Sequence, residues 1–165
     1  MKINKEYNFE NFKLNKGNKK AYCLSKDVAK QPGKKFTSIF ISGNKEERTH
    51  LLNAIANSIM EEFNYNICYL IMDNINEIKT NADVLIIDEF ENIKEENKLI
   101  EIINSFIENK KQVVLGSNKI LDDINISEEL KDIILWGMVV NIEDDNDNIN
   151  NEKLKDYDWL KENEE

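Results

Sequence analysis

The chain has 165 residues, of which 33% are charged and 41% hydrophobic, and its formal net charge is −10. A chain of this length forms one ordinary domain with a sizeable core. No apolar run approaches the roughly 20 residues of a membrane span, and the N-terminus lacks the apolar region of a signal peptide. We therefore expect a cytoplasmic protein without membrane contact.

The charge is unevenly distributed along the chain. Residues 1–35 carry ten lysines against three acids, a net charge of +7, so the remaining residues carry −17. An acidic protein is a poor general binder of nucleic acid, because phosphate contacts need clustered cations. We expect direct DNA binding to be weak or absent. The N-terminal lysines fit solvated side chains better than the alternative, contacts to phosphate or to an acidic partner.

Runs with helical periodicity alternate with β-branched and aromatic runs. In chain order the sequence predicts a helix at 19–30, a strand at 36–42, a helix at 49–63, strands at 66–72 and 82–88, a helix at 98–110, a strand at 112–118, a helix at 127–135 and a strand at 137–143. Ser127 has the character of an N-cap. This alternation implies βαβ units, and hence a three-layer α/β domain with a five-stranded, mostly parallel sheet.

The composition divides the chain into three parts. Residues 1–17 form an N-terminal segment, residues 18–143 form the α/β domain, and residues 144–165 form an acidic, Asn-rich C-terminal tail. For this tail we predict loose structure with one short helix from about Glu152, anchored through Leu154, Tyr157 and Leu160.

The stretch "SGNKEERTHLL" (42–52) lies between a predicted strand and a predicted helix, where nucleotide-binding proteins place their phosphate loop. Such a loop needs glycines to fold around phosphate, a lysine for the terminal phosphates and a Ser or Thr for magnesium. The order of residues fits, since Arg48-Thr49 stands where Lys-Thr belongs. Ser42 replaces the first glycine, although Gly43 follows it.

The residue types in this stretch argue against phosphate binding. Glu47 stands in place of the glycine before the lysine, where a positive φ disfavours any side chain. Glu46 and Glu47 also put carboxylates at a helix N-terminus, where the dipole and amides that would hold phosphate stabilise them instead. The protein thus supplies its own anion. Arg48 can still attract phosphate, but it is bulkier than lysine and differently shaped.

A second motif, "VLIIDEFENI" (84–93), is an apolar strand that ends in Asp88-Glu89. This is the pattern of a Walker B element, in which the first acid holds magnesium through water and the second orients the attacking water. Solvated acids at the end of a strand are the alternative interpretation. The spacing after the first motif favours a Walker B element, with Thr49 and Asp88 as the magnesium ligands.

Six segments of the chain resemble, in order, the AAA+ ATPase domain of the bacterial replication initiator DnaA family. They cover roughly four fifths of the chain and read "YNFENFKLNKGNKKAY", "PGKKFTSIFISG", "RTHLLNAIA", "ADVLIIDEFENI", "KQVVLGSNK" and "LKDIILWGMVVNI". The resemblance implies a P-loop NTPase fold of AAA+ type. It places Asn118 at the polar position of sensor 1 and His50 at a family helix position. If nucleotide binding is retained, the resemblance implies that the binding residues are Ser42, Gly43, Arg48, Thr49, Asp88, Glu89 and Asn118.

The chain also departs from the family pattern. Ile133 occupies the position of the arginine finger, and the nearby Lys131 aligns with a different basic residue. The connection between the second and third strands is short, where initiators carry a helical insertion associated with single-stranded DNA. After the last predicted strand, we expect no counterpart of the helical lid with its sensor 2 arginine or of the C-terminal origin-reading domain. Loss of a finger alone costs about three to five powers of ten in rate.

Two classes of function follow from these observations. In the first, the protein is a non-catalytic, DnaA-like module with an accessory or regulatory role in replication initiation, whose partners are a DnaA-type initiator, a helicase, a clamp or a second copy. It then needs no cofactor. In the second, it is a nucleotide-dependent switch or ATPase that binds ATP or ADP with magnesium and uses Arg48 in place of the lysine. A third hypothesis is that the protein is a structural remnant without a present role.

Overall fold

The computed structural model describes residues 3–73 and 75–144. In chain order the elements are α1 (Lys19–Lys30), β1 (Ser38–Ser42), α2 (Lys45–Phe63), β2 (Ile67–Ile71), β3 (Val84–Asp88), α3 (Glu96–Glu108), β4 (Gln112–Ser117), α4 (Glu128–Leu135) and β5 (Met138–Asn141). Each helix and strand predicted between residues 19 and 143 is present in the predicted order. The predicted tail helix lies outside the described residues.

The five strands form one sheet of order β2-β3-β4-β1-β5, and every pairing is parallel. The prediction of a five-stranded, mostly parallel sheet is confirmed. Because all strands run the same way, their last residues share one edge, here called the carboxyl edge, and their first residues share the amino edge. Between β2 and β3, the described residues hold only one 3-10 turn, Ile75–Glu77.

Helices cover both faces of the sheet, as the predicted three-layer architecture requires. One face packs against α1 and α2 through Leu24, Val28, Leu51, Ile55 and Ile59. The other face packs against α3 and α4 through Leu99, Ile103, Phe106, Leu130 and Ile134. Strands β1, β3 and β4 are buried along their whole length, which explains their unbroken apolar sequences.

The N-terminal segment is fixed to α2 by side chains of that helix. The ring of His50 stacks on Tyr7 with 4.7 Å between centroids, and its Nε2 donates to the carbonyl of Asn8 at 2.8 Å. Farther along α2, the amide of Asn57 donates to the carbonyls of Asn4 at 3.0 Å and Tyr7 at 2.8 Å. His50 is therefore a structural contact between the segment and the helix.

The start of α1 and the residues after β5 meet at the carboxyl edge. The amide of Glu143 donates to the carbonyl of Gly17 at 2.9 Å. Gly17 is needed for this close approach, since a Cβ there would lie 1.9 Å from the carbonyl oxygen of Glu143. Within the described part of the chain, no helix combines the length and apolar character that a membrane crossing requires.

Candidate nucleotide site

The phosphate-loop position lies at the carboxyl edge, where β1 passes into α2. Helix α2 begins at Lys45, so only Gly43 and Asn44 separate it from the last residue of β1. The predicted start of this helix at Thr49 was wrong. Residues that would wrap around a phosphate instead form the first turn of the helix.

The early start of α2 has a local cause. Asn44 is the N-cap, with extended backbone angles, and its side-chain oxygen accepts a hydrogen bond from the amide of Glu47 at 2.9 Å. Asn44 and Glu47 have the spacing of a capping box, a signal in the sequence that the phosphate-loop interpretation overlooked. Glu46 and Glu47 lie in the first turn, where the helix dipole favours carboxylates. Local energetics therefore favour a helix over a loop.

Removal of this cap tests its contribution. We expect Asn44→Ala to lower the free energy of unfolding by about 1 kcal/mol, because the amide of Glu47 loses its partner. Asn44→Gly is the matched control and should cost only a few tenths of a kcal/mol, about the loss known for glycine caps. Urea unfolding followed by circular dichroism measures both. Equal stability of the alanine variant and the unmodified protein would contradict the cap.

Gly43 serves packing at this position. Its φ is +153°, its amide donates to the carbonyl of Ser117 at 3.0 Å, and a Cβ would lie 2.6 Å from the Cβ of Ile142. The glycine allows the chain leaving β1 to pass close to the residue after β5. The described contacts therefore explain this glycine without a ligand.

Arg48, which stands where a phosphate-binding lysine belongs, is buried and 1% exposed. Its Nε donates to the Oδ1 of Asp88 at 2.7 Å, and its Nη1 donates to the carbonyl of Gly43 at 2.7 Å. Arg48 is also the only arginine in the chain. The side chain points back toward β3, and its guanidinium occupies the space between the start of the helix and the Walker B acid.

Both carboxylate oxygens of Asp88 are engaged. Besides Arg48, Oδ1 accepts the amide of Glu89 at 2.8 Å, and Oδ2 accepts the hydroxyl of Thr49 at 2.9 Å. Asp88 is 3% exposed. Magnesium prefers octahedral oxygen coordination and keeps several waters. The two predicted magnesium ligands, Thr49 and Asp88, are hydrogen-bonded directly to each other. The guanidinium of Arg48 supplies the positive charge beside the carboxylate, so the arrangement does not fit a magnesium ion.

The remaining predicted residues have other contacts. The hydroxyl of Ser42 donates to the side-chain oxygen of Asn141 on β5. Glu89 is half-buried and has a left-handed backbone with φ of 53°. Asn118 is exposed, and its backbone amide donates to the Oε1 of Glu91 at 3.0 Å. The structure thus brings together Gly43, Arg48, Thr49, Asp88 and Glu89, with Ser42 and Asn118 outside the cluster.

A buried polar group beneath Thr49 was missed by sequence reasoning. The amide of Asn53 donates to the carbonyl of Thr49 at 2.8 Å and to the hydroxyl of Tyr69 at 3.2 Å, and its oxygen accepts the amide of Asn4 at 2.8 Å. Burial raises the pKa of Tyr69, and the charge of Asp88 raises it further, so the phenol stays neutral. The available signal was an asparagine within the apolar run of α2.

A cleft of about 470 Å³ lies beside the first turn of α2. It is lined by Phe12, Lys13, Leu14, Asn15, Asn44, Glu46, Glu47 and His50. Glu47 lies at the rim of the cleft, where its Oε1 accepts a hydrogen bond from the side-chain amide of Asn15 at 3.3 Å. A phosphate that entered this cleft would meet the two carboxylates of Glu46 and Glu47 against the single ammonium group of Lys13, so the net charge there repels it. The electrostatics of the cleft therefore disfavour a nucleotide.

The residues at and near the arginine-finger position in α4 also make structural contacts. Ile133 is half-buried and packs against the core between the sheet, α3 and α4. Lys131 forms an ion pair with Asp122 at 2.7 Å, and this hydrogen bond raises the lysine pKa. Since the chain has no second arginine, α4 cannot donate a guanidinium to a neighbouring subunit.

The sheet order, the helices on both faces and the strand-turn-helix at β1 define a P-loop NTPase fold of AAA+ type. AMPPCP-bound DnaA from Aquifex aeolicus superposes with a TM-score of 0.80 at 27% identity, over 98% of this chain and 61% of that chain. The crystal structure of DnaI has the same fold, with a TM-score of 0.63 at 16% identity, over 84% of this chain and 92% of that chain.

Sequence comparison identifies the family. Residues 3–80 and 71–141 match the bacterial DnaA ATPase domain, and the chain belongs to this family. The chromosomal replication initiator protein DnaA of Streptococcus mutans is 31% identical over 165 aligned positions, which cover 85% of this chain. The chain spans 36% of the length of that relative. The DnaA resemblance of the sequence is confirmed.

Proposed function

We propose that this chain is a DnaA-like AAA+ protein with an accessory or regulatory role in the initiation of DNA replication. It acts through protein–protein contacts, with little or no ATP hydrolysis. The observation that carries the proposal is the buried ion pair of Arg48 and Asp88, which joins the residue at the phosphate-loop lysine position to the first acid of the Walker B element. Membership of the DnaA family supports the connection with replication.

The absence of hydrolysis follows from what phosphoryl transfer requires. Catalysis of this reaction consists almost entirely of positioning and charge stabilisation by a phosphate loop, a magnesium ion and an arginine finger. Here the loop is a helical turn, the Walker B acid is bonded to Arg48 and Thr49, and the finger position is an isoleucine. Each of these changes removes a separate contribution to catalysis.

The proposed partners are proteins of replication initiation: a DnaA-type initiator, a replicative helicase, a clamp or a second copy of the chain. The surface proposed for contact is the carboxyl edge around α2 and β3. Its glutamates disfavour the phosphate backbone, which supports weak or absent direct DNA binding. The division at residues 17 and 143 and the cytoplasmic location stay predictions.

Nucleotide titration tests the absence of binding. We expect no saturable heat when MgATP or MgADP is titrated to millimolar concentration into the purified protein in a calorimeter. The double variant Glu47→Gly with Arg48→Lys is the matched control, because it restores the glycine and lysine that a phosphate loop uses. Saturation at micromolar nucleotide in the unmodified protein, lost in Arg48→Ala, would overturn the proposal.

The alternative function is a nucleotide-dependent switch in which Arg48 replaces the lysine. It is favoured by the persistence of Thr49, Asp88 and Glu89 beside one another, and the A. aeolicus relative binds AMPPCP. Binding would require Arg48 to leave Asp88. A switch should then gain about 2.7 kcal/mol of stability at a ligand concentration one hundred times its Kd, visible as a higher Tm.

Partner binding tests the regulatory role. The full chain is mixed with the DnaA-type initiator of the same cell, the replicative helicase or the sliding clamp, and each mixture is analysed by sedimentation velocity. We expect a complex with at least one of them that Glu46→Lys with Glu47→Lys weakens. Absence of any complex, together with a monomeric chain, would leave the proposal without support and count against it.

A further inference from the structure

Two large apolar side chains at the end of α4 are exposed to solvent. Trp136 is 84% exposed and Leu135 is 53% exposed. Tryptophan is rarely left uncovered, because its burial contributes more than that of most side chains. Adjacent exposed apolar side chains of this size indicate a surface that another group covers.

The fold places basic segments beside this tryptophan at the amino edge of the sheet. β4, β1 and β5 begin next to one another there. Gly137 lies against the start of β1, where a Cβ would be 2.1 Å from the carbonyl oxygen of Ser38. On the other side of β1, the amide of Gly33 donates to the Oε1 of Gln112 at 2.8 Å. Residues 31–38, 110–112 and 136–138 therefore converge.

These converging segments carry exposed lysines. Lys34 precedes β1 and Lys110 precedes β4, and both side chains are exposed. Together with Leu135 and Trp136 they form what we call the amino-edge surface. The exposed Asp132 also lies beside Leu135 and Trp136, so the charges of this surface are two lysines and one aspartate. The surface is basic and apolar, whereas the chain as a whole has a net charge of −10. A segment that is both acidic and aromatic complements this surface.

The chain itself contains such a segment. Residues 145–165 carry eight acids and three lysines, a net charge of −5, and they also contain Leu154, Tyr157, Trp159 and Leu160. Among the stretches outside the described residues, this is the one with both properties. Its acids match the lysines of the amino-edge surface, and its large side chains match Leu135 and Trp136.

We infer that residues 145–165 bind the amino-edge surface of their own chain. The distance allows this contact, because β5, whose four residues span about 13 Å, separates the carboxyl edge near Asp144 from the amino edge. The segment's 21 residues reach up to roughly 70 Å when extended, which is ample. Because the segment is tethered, its effective concentration at the surface is on the order of millimolar, so a weak contact suffices.

The two tryptophans of the chain make the contact measurable. In the full chain with Trp159→Phe, Trp136 is the sole tryptophan, and acrylamide quenching of its fluorescence reports its exposure. We expect low quenching that rises severalfold when Leu154→Ser and Leu160→Ser are added. Lys34→Glu with Lys110→Glu should raise it likewise, as should NaCl at about 1 M, where screening shortens the Debye length to about 3 Å.

The control is Lys94→Glu with Lys119→Glu, which makes the same charge change at the carboxyl edge and should leave quenching unchanged. Circular dichroism confirms that each variant is folded. Equal quenching of Trp136 in all variants would overturn the inference. Protection that increases with protein concentration would assign the surface to a second copy instead. Protection that arises only on addition of an oligonucleotide would assign it to nucleic acid.

Discussion

Replacement of Arg48 by alanine is expected to lower the free energy of unfolding by about 3–5 kcal/mol, the usual cost of removing one partner of a buried ion pair. Asp88 is 3% exposed in the unmodified protein, and in the variant its carboxylate would keep only the hydroxyl of Thr49 and the amide of Glu89 as donors. Urea unfolding of the purified variant measures the loss. A change below about 1 kcal/mol, the range of exposed pairs, would show that solvent reaches the pair.

A double variant separates the ion pair from simple loss of packing. Arg48→Met with Asp88→Asn replaces both charges with neutral groups of similar volume, so it leaves no unpaired buried charge, which is what makes removal of one partner costly. We expect the double variant to recover most of the stability lost in either single variant. The coupling energy from the resulting cycle should reach at least the upper end of the roughly 0.5–3 kcal/mol known for residues in direct contact. Additive losses would contradict direct interaction.

Substitution of Gly116 by valine should be the second most damaging change near the site. This glycine lies in β4 under the ion pair, where a Cβ would be 2.8 Å from the Oδ1 of Asp88 and 2.7 Å from a methyl carbon of Leu52. Overpacking of this kind costs about 1–3 kcal/mol and occasionally more. Because valine is larger than alanine, we expect Gly116→Val to lower the free energy of unfolding by at least about 3 kcal/mol, as measured by thermal or urea unfolding.

Gly116→Ala with Leu52→Val provides the matched test for this position. The smaller side chain at 52 relieves one of the two contacts, so the double variant should lose less stability than the sum of the single variants. If Gly116→Ala leaves stability unchanged, Asp88 and Arg48 do not lie over β4 as described.

Much of the fold was predictable because burial leaves a local imprint on sequence. The unbroken apolar residues of β3 indicated a strand covered on both faces, and Ser127 marked the start of α4, where its hydroxyl accepts the amide of Leu130. Strand order was not predicted, because it depends on contacts between distant segments. The resemblance to DnaA supplied the architecture that local periodicity leaves open.

The start of α2 shows how a motif can mislead. The phosphate-loop pattern suggested a loop through residue 48, whereas Asn44 and the two glutamates that follow it predict a helix N-terminus by ordinary capping rules. Where family descent and local energetics disagreed, local energetics decided the conformation. The substitutions that remove phosphate chemistry are also those that extend the helix.

The contacts of the candidate site were less accessible to sequence reasoning. The sequence placed Arg48 and Asp88 at suitable positions, but it did not show that an arginine side chain would reach back to the acid and bury itself. That outcome depends on side-chain length and on the space above Gly116. Similarly, the pairing of Asn118 with Glu91 joins two loops whose proximity only the sheet order reveals.

The position of β1 in the sheet has a consequence for folding during synthesis on the ribosome. Its neighbours in the sheet are β4 and β5. Ser38 therefore cannot pair until Val113 has been synthesised, and Ile39 cannot pair until Met138 has been synthesised. Synthesis at about 5–20 residues per second leaves the apolar β1 without neighbours for several seconds. Contacts so distant in sequence also form slowly. We expect the nascent chain to depend on chaperones until β5 emerges.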